Sequence, residues 1–356
     1  MRRDKAWIIL LFFALLSGCT DGVAPEAHYG TIQFGAGEVA ISSRAFVDQE
    51  GIDSGNVPVY VHGIINGSTR LYPVSGTSQG ELLTQDYTTA KWLPSTRNNY
   101  KDWVAGSTYA FNGYAYTPST ASTSMLSIRG YGKEITVNQP ATYQPDQMVD
   151  YLLSHTFSVA DGRMRPVVQL DMEHAMALVE VRVVKHESIR EAYVDNLTME
   201  GFFRSATMNC TTPAPYNSGA TNEWKISLSG VEDTVYAIDA GEPDDESSRV
   251  AIKERDEEGG VSMMFLAIPQ QMERSNVLSI SYWVNEKFDD ASPDNFVHHE
   301  ASFNLYNYTP IMWSSAHHII YTLEVDTGIR LQGVIAPWID VDYIEGTVLP
   351  DIDQKE

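Results

Sequence analysis

Residues 167–184 read VVQLDMEHAMALVEVRVV, and this stretch decides the fold class. Its apolar residues recur at every second position, which is the period of a β-strand with one buried face. Those between Val168 and Met172 share one parity, whereas those between Ala175 and Val183 share the other. The alternation therefore slips around Glu173 and His174, which predicts two strand segments joined by a bulge or a turn.

Strand-like patterns dominate the rest of the chain as well. Aromatic residues alternate along 107–116, but their parity shifts by one at Gly113, which predicts a bulge or a bend there. No segment of twelve or more residues has a convincing helical period, and the nearest candidate, 145–154, suggests one or two turns. The predicted strands are Val57–Ile65, Ser107–Tyr116, Leu278–Val284, Ala301–Tyr308 and Ile319–Val325.

The composition changes near residues 160–166, which read ADGRMRP. Glycine, proline and charged residues interrupt the apolar pattern there, as they do in a connection between domains. The chain is long enough for two domains of ordinary size. We therefore predict an all-β protein with two antiparallel β-sandwich domains, residues 28–163 and residues 164–356.

The N-terminus carries the pattern of an export signal. Three basic residues precede a run of thirteen mostly apolar residues, 6–18, which is shorter than a bilayer-spanning helix requires. The run ends in Leu16-Ser-Gly-Cys19, which resembles the lipobox of bacterial lipoproteins. That resemblance implies that residues 1–18 are a signal peptide, that Cys19 carries a diacylglycerol anchored in a membrane, and that residues 19–27 are a tether.

Charge and cysteine content narrow the classes of function. Cys210 is the one other cysteine, so an acylated Cys19 excludes an intramolecular disulfide. The formal net charge is −23, from 24 basic and 47 acidic residues. Such a surface repels nucleic acid and anionic lipid headgroups, so nucleic acid is excluded as an expected partner.

Residue patterns for catalysis or metal binding are weak. Gly76-Thr-Ser78-Gln-Gly80 matches the G-x-S-x-G motif of hydrolases, but it lacks the βαβ surroundings that hold such a serine on a tight turn. Adjacent histidines at 298–299 and at 317–318 would point to opposite faces of a strand and could not share one metal ion. His174, beside the slip in alternation, is interpreted as a half-buried structural histidine. We predict no enzyme activity, no metal and no cofactor.

Four stretches together resemble the fimbrillin-type, or type V, pilus subunits of Bacteroidota. They keep the order and spacing of that family across nearly the whole mature chain. They are the lipobox with its acidic tether, Trp103–Phe111, Met172–Val183, and Trp313–Val325 followed by Val334–Trp338.

The resemblance implies a fold, a location and an assembly mechanism. The fold would be two transthyretin-like β-sandwich domains, exported as a lipoprotein to the outer surface of the outer membrane. In the family an arginine-specific protease cuts after the first strand, and the groove that opens accepts a strand from the next subunit. Its partners would be other pilus subunits, with a host or bacterial surface ligand as a further candidate partner.

The sequence offers candidates for both parts of that mechanism. The Arg44–Ala45 bond follows a segment with strand character, residues 29–41, which is interrupted by glycines at 35 and 37. A surface arginine in a loop is an equally good interpretation of Arg44. For the donor, Ile339, Val341 and Tyr343 alternate with aspartates within residues 334–350.

Two questions stay open at the level of sequence. Stalk, tip and anchor subunits share this architecture in the family, and a cleavable Arg44 favours a polymerising stalk or tip subunit over an anchor. The alternative function is an outer-surface lipoprotein that binds glycan, because seven tryptophans and nineteen tyrosines provide aromatic rings on which sugars stack.

Overall fold

The computed structural model describes residues 28–36, 57–74, 79–86, 91–117, 126–129, 132, 134–144, 147–209, 225–229, 234–239, 250–255, 260–287, 294–326 and 328–337. Over these residues the protein is almost entirely β-structure, and most strand pairs are antiparallel, as predicted. In this described part, helical structure is confined to short 3-10 turns, and no helix has the length and apolarity to cross a bilayer.

Over its described residues, the first part of the chain, up to residue 174, forms fourteen strands, two 3-10 turns with defined bounds and a further 3-10 residue, Gln147. The turns are Arg97–Asn99 and Gly162–Met164. The strands are β1 His28–Thr31, β2 Phe34–Ala36, β3 Val59–Ile65, β4 Thr69–Tyr72, β5 Glu81–Asp86, β6 Lys91–Pro94, β7 Asp102–Val104, β8 Tyr109–Thr117, β9 Leu126–Arg129, β10 Glu134–Asn138, β11 Asp150–Ser154, β12 Phe157–Val159, β13 Val168–Leu170 and β14 Met172–His174.

Ten of these strands form one large sheet, here called sheet 1. Its main path runs β13-β2-β6-β5-β3-β8-β11-β14, with β4 paired to β3 and β12 paired to β8. One face of sheet 1 covers a hydrophobic core rich in aromatic rings, here called the first core. Its fully or nearly fully buried members include Ile32, Phe34, Tyr72, Trp92, Trp103, Phe111, Val168, Leu170 and Met172.

Over its described residues, the second part of the chain, from residue 175 onward, forms eleven strands and one 3-10 turn, Leu305–Asn307. The strands are β15 Ala177–Lys185, β16 Ala192–Phe202, β17 Ser205–Asn209, β18 Lys225–Ser229, β19 Thr234–Asp239, β20 Val250–Ala251, β21 Val261–Ala267, β22 Val277–Asn285, β23 Phe296–Asn304, β24 His317–Val325 and β25 Ile329–Pro337.

Two sheets enclose another hydrophobic core, here called the second core. Sheet 3 has the order β21-β15-β24-β25, and sheet 4 has the order β19-β16-β22-β23 with β20 beside β16. The central pair of sheet 3, β15 and β24, is parallel. Alternate residues from both sheets are buried between them, among them Val179 and Val181 on β15, and Leu278 and Ile280 on β22. This arrangement is a β-sandwich.

A separate four-stranded sheet, sheet 2, joins the two parts of the chain. Its order is β18-β17-β10-β9, so the pairing of β10 with β17 connects a hairpin from each part. Ile135 and Val137 on β10 belong to the second core. Conversely, β13 and β14 follow residue 163 and contribute to the first core. The division at residues 163 and 164 stays a prediction, and the cores interlock across it.

The predicted slip near Glu173 and His174 is confirmed. Strand β14 ends at His174 and β15 begins at Ala177, with a bend at Met176 between them. The predicted parity of β22 is also confirmed, because Leu278, Ile280, Tyr282 and Val284 are buried on one face.

The predicted bulge at Gly113 is wrong. The register between β3 and β8 runs through Gly113 without a shift. The aromatic parity changes because sheet 1 is buried on both faces: Phe111 lies in the first core, whereas Tyr114 and Tyr116 lie in the second. The strand pairing is interrupted on the other edge of β8, where its partner changes from β12 to β11. At that interruption, Ser154 Oγ accepts the Gly113 N–H at 2.6 Å.

The helical turns suggested for 145–154 are only partly observed: Gln147 lies in a 3-10 turn, where its N–H donates to the Gln144 carbonyl at 2.9 Å, but the second half of the segment is a strand. Residues 150–154 form β11, and all five are buried. A strand that is buried on both faces shows continuous rather than alternating apolarity, so its period could not identify it.

Candidate functional site

The N-terminal segment 28–36 crosses the open side of the first core. It forms β1, which pairs with β7, then passes through Ile32 and Gln33, and then forms β2. Of the two glycines at which an interruption was predicted, Gly37 lies outside the described residues, and the interruption expected at Gly35 is wrong: within 28–36 the strands are interrupted at residues 32–33. Gly35 lies inside β2, opposite Gln169.

Both sides of this segment are hydrogen-bonded to the protein. The Ile32 N–H donates to the Lys101 carbonyl at 2.8 Å, and the Gln33 carbonyl accepts the Val168 N–H at 2.9 Å. Strand β2 runs parallel to β13 and antiparallel to β6. The segment therefore fills a slot between two strands, and in the described sheet β13 has no other strand neighbour.

Two side chains anchor the segment in the first core. Ile32 and Phe34 are both completely buried. The Phe34 ring makes edge contacts with Tyr72 and Phe111, at centroid separations of 5.8 and 5.6 Å. Burying one such side chain contributes about 1.5–3 kcal/mol, so the pair is a substantial share of the binding free energy of the segment.

Polar contacts hold the edge of the segment. Lys91 Nζ donates to Gln33 Oε1 at 2.6 Å, and Thr31 Oγ1 donates to Asp102 Oδ1 at 3.2 Å. These contacts lie nearer solvent than the two anchors, so they orient the segment more than they stabilise it.

Removing residues 28–36 would change the protein in a defined way. The facing edges of β6 and β13 would lose a strand, and the pockets of Ile32 and Phe34 would open onto Tyr72, Trp92 and the other rings of the first core. A slot with main-chain groups on both sides and apolar pockets beneath accepts an extended chain of alternating residues. We call this slot the N-terminal seat.

The C-terminal edge of the protein supplies the second feature. Strand β25 is the last strand of sheet 3 and, among the described strands, pairs with β24 alone. It ends at Pro337, and the sequence continues for the residues that include Ile339, Val341 and Tyr343. Those three predicted donor residues lie outside the described residues, as do Cys19, Arg44, Ala45, Ser78 and Cys210.

The histidine pairs do not come together as metal ligands. On β23, His298 Nε2 lies 3.1 Å from Asp195 Oδ2, whereas His299, on the opposite face, lies 3.7 Å from Glu286. His318 Nε2 lies 3.0 Å from Glu180 Oε2. Within the described ranges, no group of three or more histidine, cysteine, aspartate or glutamate residues is arranged to hold a metal ion.

The interpretation of His174 as half-buried needs correction. Its side chain is completely buried, and its Nδ1 lies 2.9 Å from Oδ2 of Asp150, which is also completely buried. Both lie on strands of sheet 1 that pair with each other, β14 and β11, so the contact fastens the end of the sheet next to the second core.

Sequence reasoning missed Ile32 and Phe34, which are the anchors of the seat. The only sequence signal for these anchors is the short alternating pattern Ile32-Gln-Phe-Gly35. The pattern is too short to distinguish a buried strand from a loop.

Comparisons with known proteins agree with this architecture. The profile of the fimbrillin-like family matches residues 73–338. A search of curated proteins returns no match. Among solved structures, a Bacteroides uniformis protein ascribed a role in cell adhesion has a TM-score of 0.50 at 9% identity, over 87% of this chain and 100% of its own.

Two further solved structures are more distant. A fimbrial assembly protein of Parabacteroides distasonis has a TM-score of 0.37 at 10% identity, over 79% of this chain and 87% of its own. A C-terminally truncated tip fimbrial protein of Porphyromonas gingivalis has a TM-score of 0.31 at 10% identity, over 79% of this chain and 93% of its own. The family profile covers well over half of the sequence, and on that ground the chain belongs to the fimbrillin-like family.

Proposed function

We propose that this protein is a structural and adhesive subunit of a fimbria, exported as a lipoprotein through Cys19 and assembled by β-strand exchange after proteolysis. Its partners are other pilus subunits, and its site of action is the cell surface. Membership of the fimbrillin-like family supports the fimbrial role.

The observation that carries the proposal is the N-terminal seat. Ile32 and Phe34 are as deeply buried as any core residue, yet they belong to a short segment at the start of the described chain. A single cut between this segment and β3 would leave it held by non-covalent contacts alone. A competing strand could then replace it, because both would make the same main-chain bonds.

Arg44 is the proposed position of the cut. It lies between Ala36, the end of β2, and Val59, the start of β3, so cleavage there separates the segment from the rest of the protein. Cys19 would leave with the same fragment. The lipid would then deliver the subunit to the surface without remaining in the fibre, which favours a stalk or tip subunit over an anchor.

The C-terminal tail is the proposed donor. In the seat, Ile32 and Phe34 are two positions apart and both point into the first core. Val341 and Tyr343 have the same spacing and a similar apolar character. Asp340 and Asp342 would then point toward solvent, where their charge discourages pairing between free tails.

N-terminal sequencing of surface material tests the cut. We expect the mature polymer to begin at Ala45, and an Arg44→Ala variant to remain monomeric with Cys19 at its N-terminus. Arg97→Ala is the matched control, since Arg97 is an exposed arginine elsewhere in the chain and its substitution should leave processing unchanged. Polymer formed in normal amounts by Arg44→Ala would contradict the proposal.

Truncation tests the donor. Deleting residues 339–356 should abolish incorporation into fibres while leaving the thermal stability of the monomer nearly unchanged. A peptide of residues 338–350 should bind subunits that have lost the N-terminal segment, and not intact subunits. Fibres of normal length from the truncated chain would exclude the tail as donor.

Glycan binding is the second candidate function, and one residue favours it. Of the four tryptophans in the described ranges, Trp92, Trp103 and Trp313 are buried in the cores, and Trp283 lies on the outer face of sheet 4 beside His298. Glycan binding that is lost in Trp283→Ala, by a surface protein that begins at Cys19 and stays monomeric, would favour this function over the first.

A further inference from the structure

We propose that successive subunits touch through a second interface besides the exchanged strand. In this interface, an apolar patch at the end of β25 in one copy packs on the turn that carries Met164 in the next copy. The inference rests on the proposed strand exchange and names the surfaces that the exchange brings together.

The donor side is a cluster of exposed apolar residues. Val334 and Ile335, near the end of β25, are 45% and 53% exposed, and Ile311 and Met312 are 49% and 36% exposed. The two segments touch, because Gly333 packs so closely on the Thr309 carbonyl that a Cβ there would lie 2.1 Å from its oxygen. We call Ile311, Met312, Val334 and Ile335 the β25 patch.

The β25 patch is held in a fixed shape. The Met272 N–H donates to the Ile311 carbonyl at 2.7 Å, and Met312 forms a strand-like bridge with Gln271. On β25, Val334 and Ile335 lie opposite Ile320 and Ile319 of β24. Apolar side chains are therefore exposed on both faces of the strand end, which suits a protein partner that encloses the edge.

Charge singles out this patch as a contact between copies. The whole chain carries a formal charge of −23, so two copies repel each other over most of their surfaces. Neither 309–316 nor 331–338 contains a charged residue. The patch is thus an uncharged apolar surface where two acidic molecules can approach with less repulsion than at charged parts of their surfaces.

The patch also adjoins the point where the donor tail leaves the fold. Strand β25 ends at Pro337, two residues after Ile335, and the chain continues to residue 356. A neighbouring copy that holds the tail must therefore lie close to the patch.

The acceptor side follows from the direction of the strand. If the tail takes the course of residues 28–36, with Val341 at the position of Ile32, then Pro337 occupies the position of His28. His28 lies opposite Val104 of β7. Ile335 lies two residues before Pro337, roughly 7 Å along an extended strand, so the patch is brought beside β7.

The turn 161–165 lies against that end of β7. Gly162 packs on the Val104 carbonyl and its N–H donates to the Ser107 carbonyl at 2.9 Å, while the Gly106 N–H donates to Asp161. At the outer side of this fastened turn, Met164 is 68% exposed. Met164 is therefore the apolar residue presented to the β25 patch of the incoming copy.

Photo-cross-linking tests the contact directly. A benzoylphenylalanine residue placed at position 164 of full-length protein, mixed with an isotopically labelled copy before assembly, should cross-link to labelled peptides from 309–337. In parallel, Met164→Asp and Ile335→Asp should each lower the amount of polymer roughly tenfold, as for loss of an interface anchor. Leu228→Asp, at an exposed apolar residue on β18, is the control and should assemble normally.

The outcomes separate this interface from the strand exchange itself. Under the proposal, Met164→Asp and Ile335→Asp keep normal monomer stability, and the peptide 338–350 still binds their seats after cleavage. Normal assembly of both variants, or cross-links that map outside 309–337, would overturn the interface and leave the exchange intact. Failure of the wild-type protein to assemble, with no peptide binding, would overturn both.

Discussion

Phe34 and Val168 lie opposite each other across a parallel strand pair, and both are completely buried. Strand β13 reaches the described sheet through β2 alone. The N-terminal segment is therefore a structural part of sheet 1, and under the proposed function it is also the part that is removed. Its removal would expose apolar side chains and unpaired main-chain groups, whose burial by a replacement strand would be favourable.

Phe34→Ala tests the anchor of the N-terminal seat. Truncating a buried phenylalanine costs about 3–5 kcal/mol, from lost burial and from the cavity that remains. We expect the free energy of unfolding of the intact monomer to fall by about that amount in urea. After cleavage, the segment that carries Phe34→Ala should leave the N-terminal seat faster than the wild-type segment. The peptide 338–350 should then exchange into the seat at a higher rate.

Gln33→Ala is the matched control for Phe34. It removes the hydrogen bond from Lys91 but no buried side chain, and it should cost about 0.5–1.5 kcal/mol. Equal losses for Gln33→Ala and Phe34→Ala would show that the aromatic pocket is not the main anchor.

His62 predicts a loss of stability in mild acid. Burial, reinforced by the charge of Arg70, lowers the pKa of His62 from 6.5 to about 4. Between these values the imidazole is neutral in the folded state and takes up a proton on unfolding. The free energy of unfolding should therefore fall by about 3 kcal/mol from this residue as the pH drops from 6.5 to 4.

Urea unfolding across that range measures the effect. His62→Gln should flatten the pH dependence, and Arg70→Gln should recover a smaller part of the loss, because it removes the secondary cause. An unchanged slope in His62→Gln would assign the acid sensitivity to other groups.

Glu180 predicts a second effect, at sheet 3. Burial favours the neutral carboxyl, but the bonds from His318 and Arg182 outweigh it and lower the pKa of Glu180 from 4.5 to about 2. The carboxylate also accepts a hydrogen bond from Ser262 Oγ at 3.1 Å. The resulting stabilisation is complete above pH 4.5 and is lost as the pH falls through 2.

Glu180→Gln should lower the free energy of unfolding at pH 7 by about 3–5 kcal/mol, as for breaking a buried ion pair. Arg330→Gln is the control, since its bond to Asp326 is largely exposed and is worth less than about 1 kcal/mol. Similar losses in thermal denaturation of the two variants would refute the importance of the buried carboxylate.

The interlocked cores predict how fragments behave. A fragment of residues 28–163 lacks β13 and β14, whereas a fragment of residues 28–174 contains both. We expect the longer fragment to show a cooperative thermal transition at a clearly higher temperature by circular dichroism. Equal transitions would place the boundary where the sequence predicted it, at residues 163 and 164.

The sequence predicts the strands of the second sandwich well and those of sheet 1 less well. Strand β22 is buried on one face, so the alternation of apolar residues from Leu278 to Val284 identifies it as a strand. Strand β8 is buried on both faces, and its change of parity at Gly113 was mistaken for a bulge. The period of a strand identifies it only when one of its faces meets solvent.

The sequence also predicts only part of the candidate site, for a different reason. The proposed donor residues, Ile339, Val341 and Tyr343, alternate with aspartates, and the sequence displays that pattern directly. The role of Phe34 depends on β13, which pairs with β2 from far along the chain, and that of Ile32 depends on Lys101, whose carbonyl accepts its N–H. No local pattern contains that pairing, since long-range strand contacts depend on the whole topology.

The parallel pairing of β15 with β24 has a mechanical consequence. Ala177, where β15 begins, and Pro337, where β25 ends, lie at the same end of sheet 3, because both are placed beside residues 317–318 of β24. Tension along an assembled fibre would enter by the seat, pass through the 174–177 connection, cross the paired ends of β15, β24 and β25, and leave by the tail. The load would therefore fall on the inter-strand hydrogen bonds at one end of sheet 3, and sheet 4 would lie outside the line of force.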